Sequence, residues 1–249
     1  MTGRRALGLL AVTLALIGAF LVLRSPAFLV TRVQVSGLSE LTPEQVVSEA
    51  AIAHQTPLWK IRAGEVAARL LEDPLIASVR VLKRWPDTLK IEIVERRPVA
   101  EVVLPSGGAA EVDASGVVMR VRAGIDARLP LVTGAREDLH PRGIVQSAGL
   151  TRAVQVAAAA RSFPEVEVAE IHVEADTSIV VYLADRTPVE FGLVPDAERQ
   201  MSVLSGLLGA LKEQGTQALY ISVVNPDEPV VRPVEPPAPP PPPPPAGGG

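Results

Sequence analysis

Val81–Ala100 reads VLKRWPDTLKIEIVERRPVA. Around the Trp85-Pro86-Asp87 turn the side chains alternate. Val79 and Val81 fall on one side with Arg80 and Leu82 on the other, and past the turn Leu89, Ile91 and Ile93 alternate with Lys90 and Glu92. A period of two belongs to a strand with one buried face, so the stretch predicts a two-stranded hairpin. Glu95, Arg96 and Arg97 close it in charge, and Pro98 follows, which helps to blunt a strand edge.

The residues before it complete a small domain. LVTRVQVSG, residues 29–37, alternates Val33 and Val35 with Arg32 and Gln34 and predicts a strand closed by Gly37. In LTPEQVVSEAAIA, residues 41–53, Thr42 is an N-cap, Pro43 suits the first helical position and Gln45 completes a capping box. Val46, Val47, Ala50 and Ala51 give that helix a narrow apolar stripe. A second helix, Glu65–Glu72, brings Val66, Leu70 and Leu71 together and ends at Pro74. The order strand, helix, helix, strand, strand over residues 32 to about 97 predicts an α+β sandwich, three strands carrying two helices on one face.

Upstream, Ala6–Leu23 reads ALGLLAVTLALIGAFLVL and holds no charge. At 1.5 Å per residue such a helix approaches the roughly 30 Å hydrocarbon core of a bilayer. It is read as a membrane span. Arg4 and Arg5 precede it, which favours an N-terminus in the cytoplasm. A cleaved signal peptide competes, since Ser25-Pro26-Ala27 loosely matches a cleavage site, but the apolar run is longer than a signal peptide's roughly 7–15 residues.

Downstream, VAEVV, AEVDASGVVMRV and LPLVTG are short β segments, with Ser106–Gly108 at a hairpin tip. A helix over Gly149–Ser162 buries Leu150, Ala153, Val154, Val156 and Ala157. Strands resume in VEVAEIHVEA, SIVVYLA and TPVEFG. A last helix, Pro195–Glu213, sets Met201, Leu204, Leu208 and Leu211 on one face, and ALYISVV then forms one final strand. From Asn225 prolines recur until the chain ends in PPAPPPPPPPAGGG, an extended or disordered tail.

Composition excludes several functions. There are no cysteines among the 249 residues, so thiolate metal sites and Cys nucleophiles are ruled out. A net charge of −4 supplies no basic field for a nucleic acid. His54, His140 and His172 stand far apart with no partner at helical spacing, and no Walker, G-x-S-x-G or G-x-G-x-x-G motif occurs. Glu165, Glu167, Glu170, Glu174 and Asp176 alternate with Val166, Val168, Ile171 and Val173, which is the wet face of a sheet more readily than paired acid and base. No catalytic residue, cofactor, metal or small-molecule substrate is expected.

A hydrophobic N-terminus followed by VQVSGLSELTPEQV and by LEDPLIASVRVLKRWPDTLKIEIVERRPVA resembles the FtsQ-type POTRA domain of the FtsQ/DivIB cell-division family. The WPDTL turn, Trp85–Leu89, and the ERRPVA exit, Glu95–Ala100, are its most specific marks. VDASGVVM at 112–119, LPLVTG at 129–134, EFG at 190–192 and the helix before LYISVV follow the family's second, β-rich domain in order. One departure stands out: Ile221 is followed by Ser222 where the family has an Ile-Asp pair.

The resemblance implies a cytoplasmic stretch 1–5, a transmembrane helix 6–23 in the lipid bilayer, a POTRA domain 28–97, a β domain 98–232 with mixed sheet and flanking helices, and a Pro-rich tail 233–249. It implies a non-enzymatic scaffold of the divisome in the inner membrane at the septum. The partners would be FtsB, FtsL and other divisome membrane proteins, with FtsB and FtsL taken by strand addition. The residues assigned to that contact are Tyr220, Ile221, Val223 and Val224, continued by Val230, Val231 and Arg232; for Ile221 and Val223 ordinary core packing competes. Pro226 and Pro229 require any edge strand past Asn225 to be short or bulged. The alternative class, a POTRA-containing outer-membrane assembly or secretion component, needs a barrel of at least eight strands of about ten residues with lipid-facing alternation, and this chain has too few of that kind.

Overall fold

The side chains of the first helix lie in a chain that splits into two units, Met1–Arg97 and Pro98–Gly249. The computed structural model describes residues 2–23, 26–53, 55–126, 128–174, 178–192 and 196–234, and in the first helix the side chains of 7–18 and 20. Arg24, Ser25, His54, Asp176, Pro195 and the polyproline tail from 235 onward lie outside the described residues.

Unit 1 opens with α1, Thr2–Leu23. Leu7, Leu9, Leu10, Val12, Leu14, Leu16, Ile17 and Phe20 are all exposed on it. Successive residues are about 100° apart on a helix, so these side chains cover every side. Among the described residues no helix is long and apolar enough to cross a membrane; the expected span over 6–23 includes side chains outside that set.

The small sheet holds β1, Arg32–Ser36, β2, Ile76–Arg84, and β3, Thr88–Glu95, in the order β1-β3-β2. β3 runs parallel to β1, with Val33 opposite Leu89, and antiparallel to β2, with Val81 opposite Ile91. The Trp85–Pro86 bond in the turn is cis. Leu89, Ile91 and Ile93 are buried, as the alternation predicts, in one cluster with Val46 of α2, Pro43–Glu49, its C-cap Ala50, and Val66 and Leu70 of α3, Ala63–Leu70. The capping box forms as expected, Gln45 N–H to Thr42 Oγ1 at 3.3 Å and Thr42 N–H to Gln45 Oε1 at 2.8 Å. Both helices are shorter than the sequence suggests at their C-terminal ends. Val47 is exposed, and Ala51 leaves the helix with φ 48°. Leu71 is the exposed C-cap of α3, and beyond it Asp73 accepts the Leu75 amide at 2.8 Å in the turn at Pro74.

The ERRPVA motif acquires a structural reason at Glu95. Its carboxylate accepts the amides of Ser39 at 2.9 Å, Glu40 at 2.8 Å and Leu41 at 3.0 Å, which fastens the loop between β1 and α2 to the end of β3. Burial pushes the Glu95 pKa up, the three amide donors pull it down, and the donors prevail.

Unit 2 carries a nine-stranded mixed sheet. In chain order its elements are β4 Pro98–Val103, β5 Ala109–Asp113, β6 Val118–Arg122, β7 Leu131–Thr133, α4 Ala148–Ala160, β8 Val168–Glu174, β9 Ser178–Leu183, β10 Pro188–Glu190, α5 Ala197–Glu213, β11 Ala218–Ser222 and β12 Val230–Pro233. In space the strands run β12-β11-β10-β9-β8-β7-β4-β5-β6. Three neighbouring pairs are parallel: β4 with β7, reached by way of β5 and β6, and β7 with β8 and β10 with β11, each joined through a helix, α4 and α5, as parallel neighbours require a crossover. Leu150, Ala153, Val154, Val156 and Ala157 of α4 are buried against the sheet, as expected. The Val-Asp-Ala-Ser-Gly segment closes β5 to β6: Asp113 Oδ1 accepts the amides of Ser115 at 3.0 Å and Val117 at 2.9 Å, and Gly116 takes φ 81°. The fold is therefore mixed α and β, a three-stranded sheet in one unit and a nine-stranded sheet in the other.

Replacing Glu95 by Ala is expected to destabilise unit 1 by about 2 kcal/mol, since amides that gave charged hydrogen bonds lose their acceptor. Both tryptophans, Trp59 and Trp85, lie in this unit, so urea unfolding followed by Trp fluorescence reads it alone. Because the folded-state pKa is lowered, the Glu95 contribution is present above the ordinary glutamate value of 4.5 and is lost as pH falls through the folded value. Wild type and variant should converge in acid.

Candidate partner-binding edge of the large sheet

The residues assigned to a partner from the sequence lie in the last two strands of the chain and just past the first of them. Tyr220 and Ile221 lie in β11, Val223 and Val224 just past it, and Val230, Val231 and Arg232 in β12. The expectation of a single final strand, with 230–232 continuing its border, differs from the arrangement found. β11 is parallel to β10 on one side and antiparallel to β12 on the other, so its backbone is paired within the chain on both sides. β12 forms the border. The reason lies in Asn225–Pro229: Pro226 and Pro229 stop the ladder, the Asn225 side chain accepts the Asp227 amide at 3.2 Å, and the chain doubles back. β12 is four residues long, and its pairing shifts register between Ala218 and Tyr220.

Register sorts the side chains by face. Val189 pairs with Ile221 and Ile221 with Val231, so these three share the face that packs on the core. Ile221 and Val223 are fully buried, which gives them the packing role that the sequence left open. Glu190, Tyr220, Ser222 and Arg232 share the opposite face with Val230. There the Tyr220 hydroxyl donates to Glu190, and the Ser222 hydroxyl donates to the same Oε2 at 3.2 Å. The Glu190 carboxylate, with burial second, raises the Tyr220 pKa above its ordinary 10.0, and the Ser222 hydrogen bond and Arg232 oppose it. The departure Ser222 fits this trio, because an aspartate there would set a second carboxylate beside Glu190.

A buried amide holds the end of these strands to the helices. Gln200 of α5 is fully buried, and its Nε2 donates to the carbonyls of Phe191 and Val223, both at 2.7 Å. Its Oε1 accepts from the Arg152 guanidinium of α4. The Arg152 pKa is lowered by burial, and Asp196 counters this. The Arg199 guanidinium donates to Asp227 in the turn before β12. Gly192 of the EFG segment lies under Val224, where an added Cβ would come within 3.1 Å of Val224 Cγ1, and its φ is 61°. Gln200 and Arg152 were not picked out from the sequence, and Glu190 only as the first residue of the EFG segment. Only Gln200 left a signal, a polar residue in the stripe with Ala197, Met201 and Leu204 that α5 turns to the core.

Away from this edge, Glu111 pairs with Arg120 at 2.9 Å and Arg122 at 2.8 Å. Thr133 Oγ1 lies 2.6 Å from Glu170 and 2.8 Å from His172 Nδ1 on the exposed side of the sheet, and His140 is elsewhere in the unit. Among the described residues no three His, Asp or Glu side chains come together as a metal would need.

A small domain of three strands and two helices, followed by a sheet unit that ends in an antiparallel strand pair, defines a POTRA-containing two-domain protein. Residues 28–96 match the family model for the FtsQ-type POTRA domain, and residues 102–225 match that for the C-terminal part of the cell division protein FtsQ/DivIB. The cell division protein FtsQ of Streptomyces bingchenggensis is 30 % identical over 218 residues, 84 % of this chain and 81 % of that relative. FtsQ of an Anaeromyxobacter species is 27 % identical over 211 residues, covering 83 % and 71 %, and FtsQ of Chloroflexus aurantiacus 28 % over 212, covering 83 % and 75 %. The chain belongs to the FtsQ/DivIB family of cell-division proteins.

Two outcomes are expected at this edge. Gln200→Leu strands two buried carbonyls and the Arg152 guanidinium, which should cost unit 2 about 2–4 kcal/mol and speed hydrogen exchange of the β11 amides. In a Tyr182→Phe background Tyr220 is the sole tyrosine, and absorbance titration should find it ionising above pH 10.0, with Glu190→Gln bringing the midpoint down.

Proposed function

We propose that this chain is a membrane-anchored, non-enzymatic scaffold of the divisome that takes a strand of FtsB, with FtsL alongside, on the outer border of β12. The observation that supports this reading is that β12 pairs only with β11, leaving its other side without a strand among the described residues. Backbone groups on such a border are a template for another chain. Val230, Val231 and Arg232 would form the receiving strand. Tyr220 would act from the neighbouring strand on the wet face, and Ile221, Val223 and Val224 would support the border from within. α1 would serve as the inner-membrane anchor, with Arg4 and Arg5 on the cytoplasmic side and the two units outside, at the septum.

The chain has no cysteine, which makes cross-linking clean. Single cysteines placed at residues 230 to 233 should cross-link to a cysteine-bearing FtsB segment with a period of two, while a cysteine at Arg122 on the opposite border should not. Val230→Asp with Arg232→Asp should weaken FtsB binding at least about tenfold, roughly 1.4 kcal/mol, without altering thermal unfolding. Uniform cross-linking along the strand, or unchanged affinity in the double variant, would sink the assignment.

A further inference from the structure

Both tryptophans of the chain are exposed, Trp85 at 57 % and Trp59 at 44 %, and the fold brings them to one end of unit 1. Leu29 forms a bridge with Pro57 and the Val30 amide donates to Thr56 at 3.1 Å, so the segment following α1 runs beside the segment that carries Trp59. The Phe28 ring meets Trp85 edge-on at 5.8 Å. The Thr31 amide donates to the Asp87 carbonyl at 3.1 Å, which ties the β2–β3 turn to the same place. The Lys83 ammonium lies 3.4 Å from the Trp59 carbonyl and links the two tryptophan-bearing segments.

Charge at this end is mostly positive. Lys60 sits over the Trp59 ring at 5.3 Å from its centre, and Lys83 and Arg84 flank Trp85 in sequence. The carboxylate of the turn, Asp87, is engaged by the Thr31 hydroxyl and faces Arg32 at 3.5 Å. Its pKa is lowered first by the Thr31 hydrogen bond, so it stays ionised and matched to Arg32. Lys60 and Arg84 are exposed, Arg84 within electrostatic reach of Glu92, and Lys83 is half-buried with its ammonium at the Trp59 carbonyl.

This end is also where α1 joins. Leu23 is three residues from Pro26, and Pro26–Phe28 is a 3-10 turn. At about 3.5 Å per extended step and 2 Å per 3-10 step, Phe28 lies at most about 15 Å from the end of α1. Tryptophans beside lysine and arginine, at this distance from a hydrophobic helix, have the composition of a membrane–water interface.

We infer that the end of unit 1 formed by Trp59, Lys60, Lys83, Arg84 and Trp85 rests in the phospholipid headgroup layer, the indoles at the acyl boundary and the cations on headgroup phosphates. The inference rests on the reading of α1 as a membrane anchor. Docking there would fix the small domain to the membrane surface and limit how far it swings on its short linker.

The full-length chain tests this in vesicles of phosphatidylcholine with and without phosphatidylglycerol, using Trp59→Phe and Trp85→Phe so that each tryptophan is followed alone. In chain that floats with the vesicles, each indole should emit at shorter wavelength, lose emission to lipids brominated near the glycerol, and be shielded from aqueous iodide. Phosphatidylglycerol should increase the quenching, and Lys83→Ser with Arg84→Ser should abolish that increase. Floating chain whose tryptophans stay open to iodide and untouched by brominated lipid overturns the inference while leaving the anchor intact. Shielding from iodide without bromine quenching overturns it in favour of a protein cover. Quenching indifferent to phosphatidylglycerol overturns the role given to the cations, and chain that fails to float overturns both the anchor and the docking.

Discussion

An open sheet leaves backbone groups unmatched along two borders, and each border must be closed, blunted or used. In unit 2 the borders are β6 and β12. At β6 the chain closes part of the ladder itself: the Val118 amide donates to Gly143 and the Arg142 amide to Val118, each at 2.9 Å, and Val117 bridges Ile144. Farther along, Arg120 and Arg122 hold Glu111 at 2.9 and 2.8 Å, which keeps charge on that side. Such features deter another strand. β12 has no comparable cover among the described residues, and this asymmetry makes the border of β12 the one suited to use.

A usable border must also be stiff, because a strand that frays makes its partner supply the ordering entropy. β10 has three residues and β12 four, too few to be stable on their own. Gln200 compensates by bonding to the carbonyls at which the chain leaves β10 and β11, and Arg152 fixes the amide from α4. The Gln200 amide is buried and satisfied at both its nitrogen and its oxygen, which holds the strand ends at one spacing, while the buried Arg152 Nε has no partner of its own. Arg199 repeats the device at the surface by holding Asp227 in the turn that launches β12.

Where pattern alone carries the information, the sequence was readable. Leu89, Ile91 and Ile93 announced a half-buried strand and Thr42-Pro43-Gln45 a helix start, and both are as the periods and caps require. Strand order was not readable from period: that β1 lies beside β3, and β4 beside β7, depends on pairings between residues far apart in sequence. The hydrogen bonds of Glu95 and Glu190 were invisible for the same reason, since a glutamate at a strand end looks like any solvated charge until its partners arrive. The turn after Asn225 is an intermediate case. Pro226 and Pro229 marked an interruption, but whether the chain beyond it would extend the border or fold back onto it depended on Val231 finding room on the core face.

The shortness of β12 sets the terms on which a partner strand could bind. Four residues can exchange only a few backbone hydrogen bonds, and at about 1 kcal/mol net each these amount to roughly 4 kcal/mol, a millimolar affinity. Strand addition alone would therefore be too weak for a lasting complex. The deficit must be met by apolar side chains near the border, and Leu219, Val230 and Val234 stand 56 %, 58 % and 46 % exposed there. Covering surface of that kind at about 25 cal/mol per Å2 adds several kcal/mol for a modest contact. The backbone would then set the partner's direction and register, and these exposed aliphatic groups would set its strength.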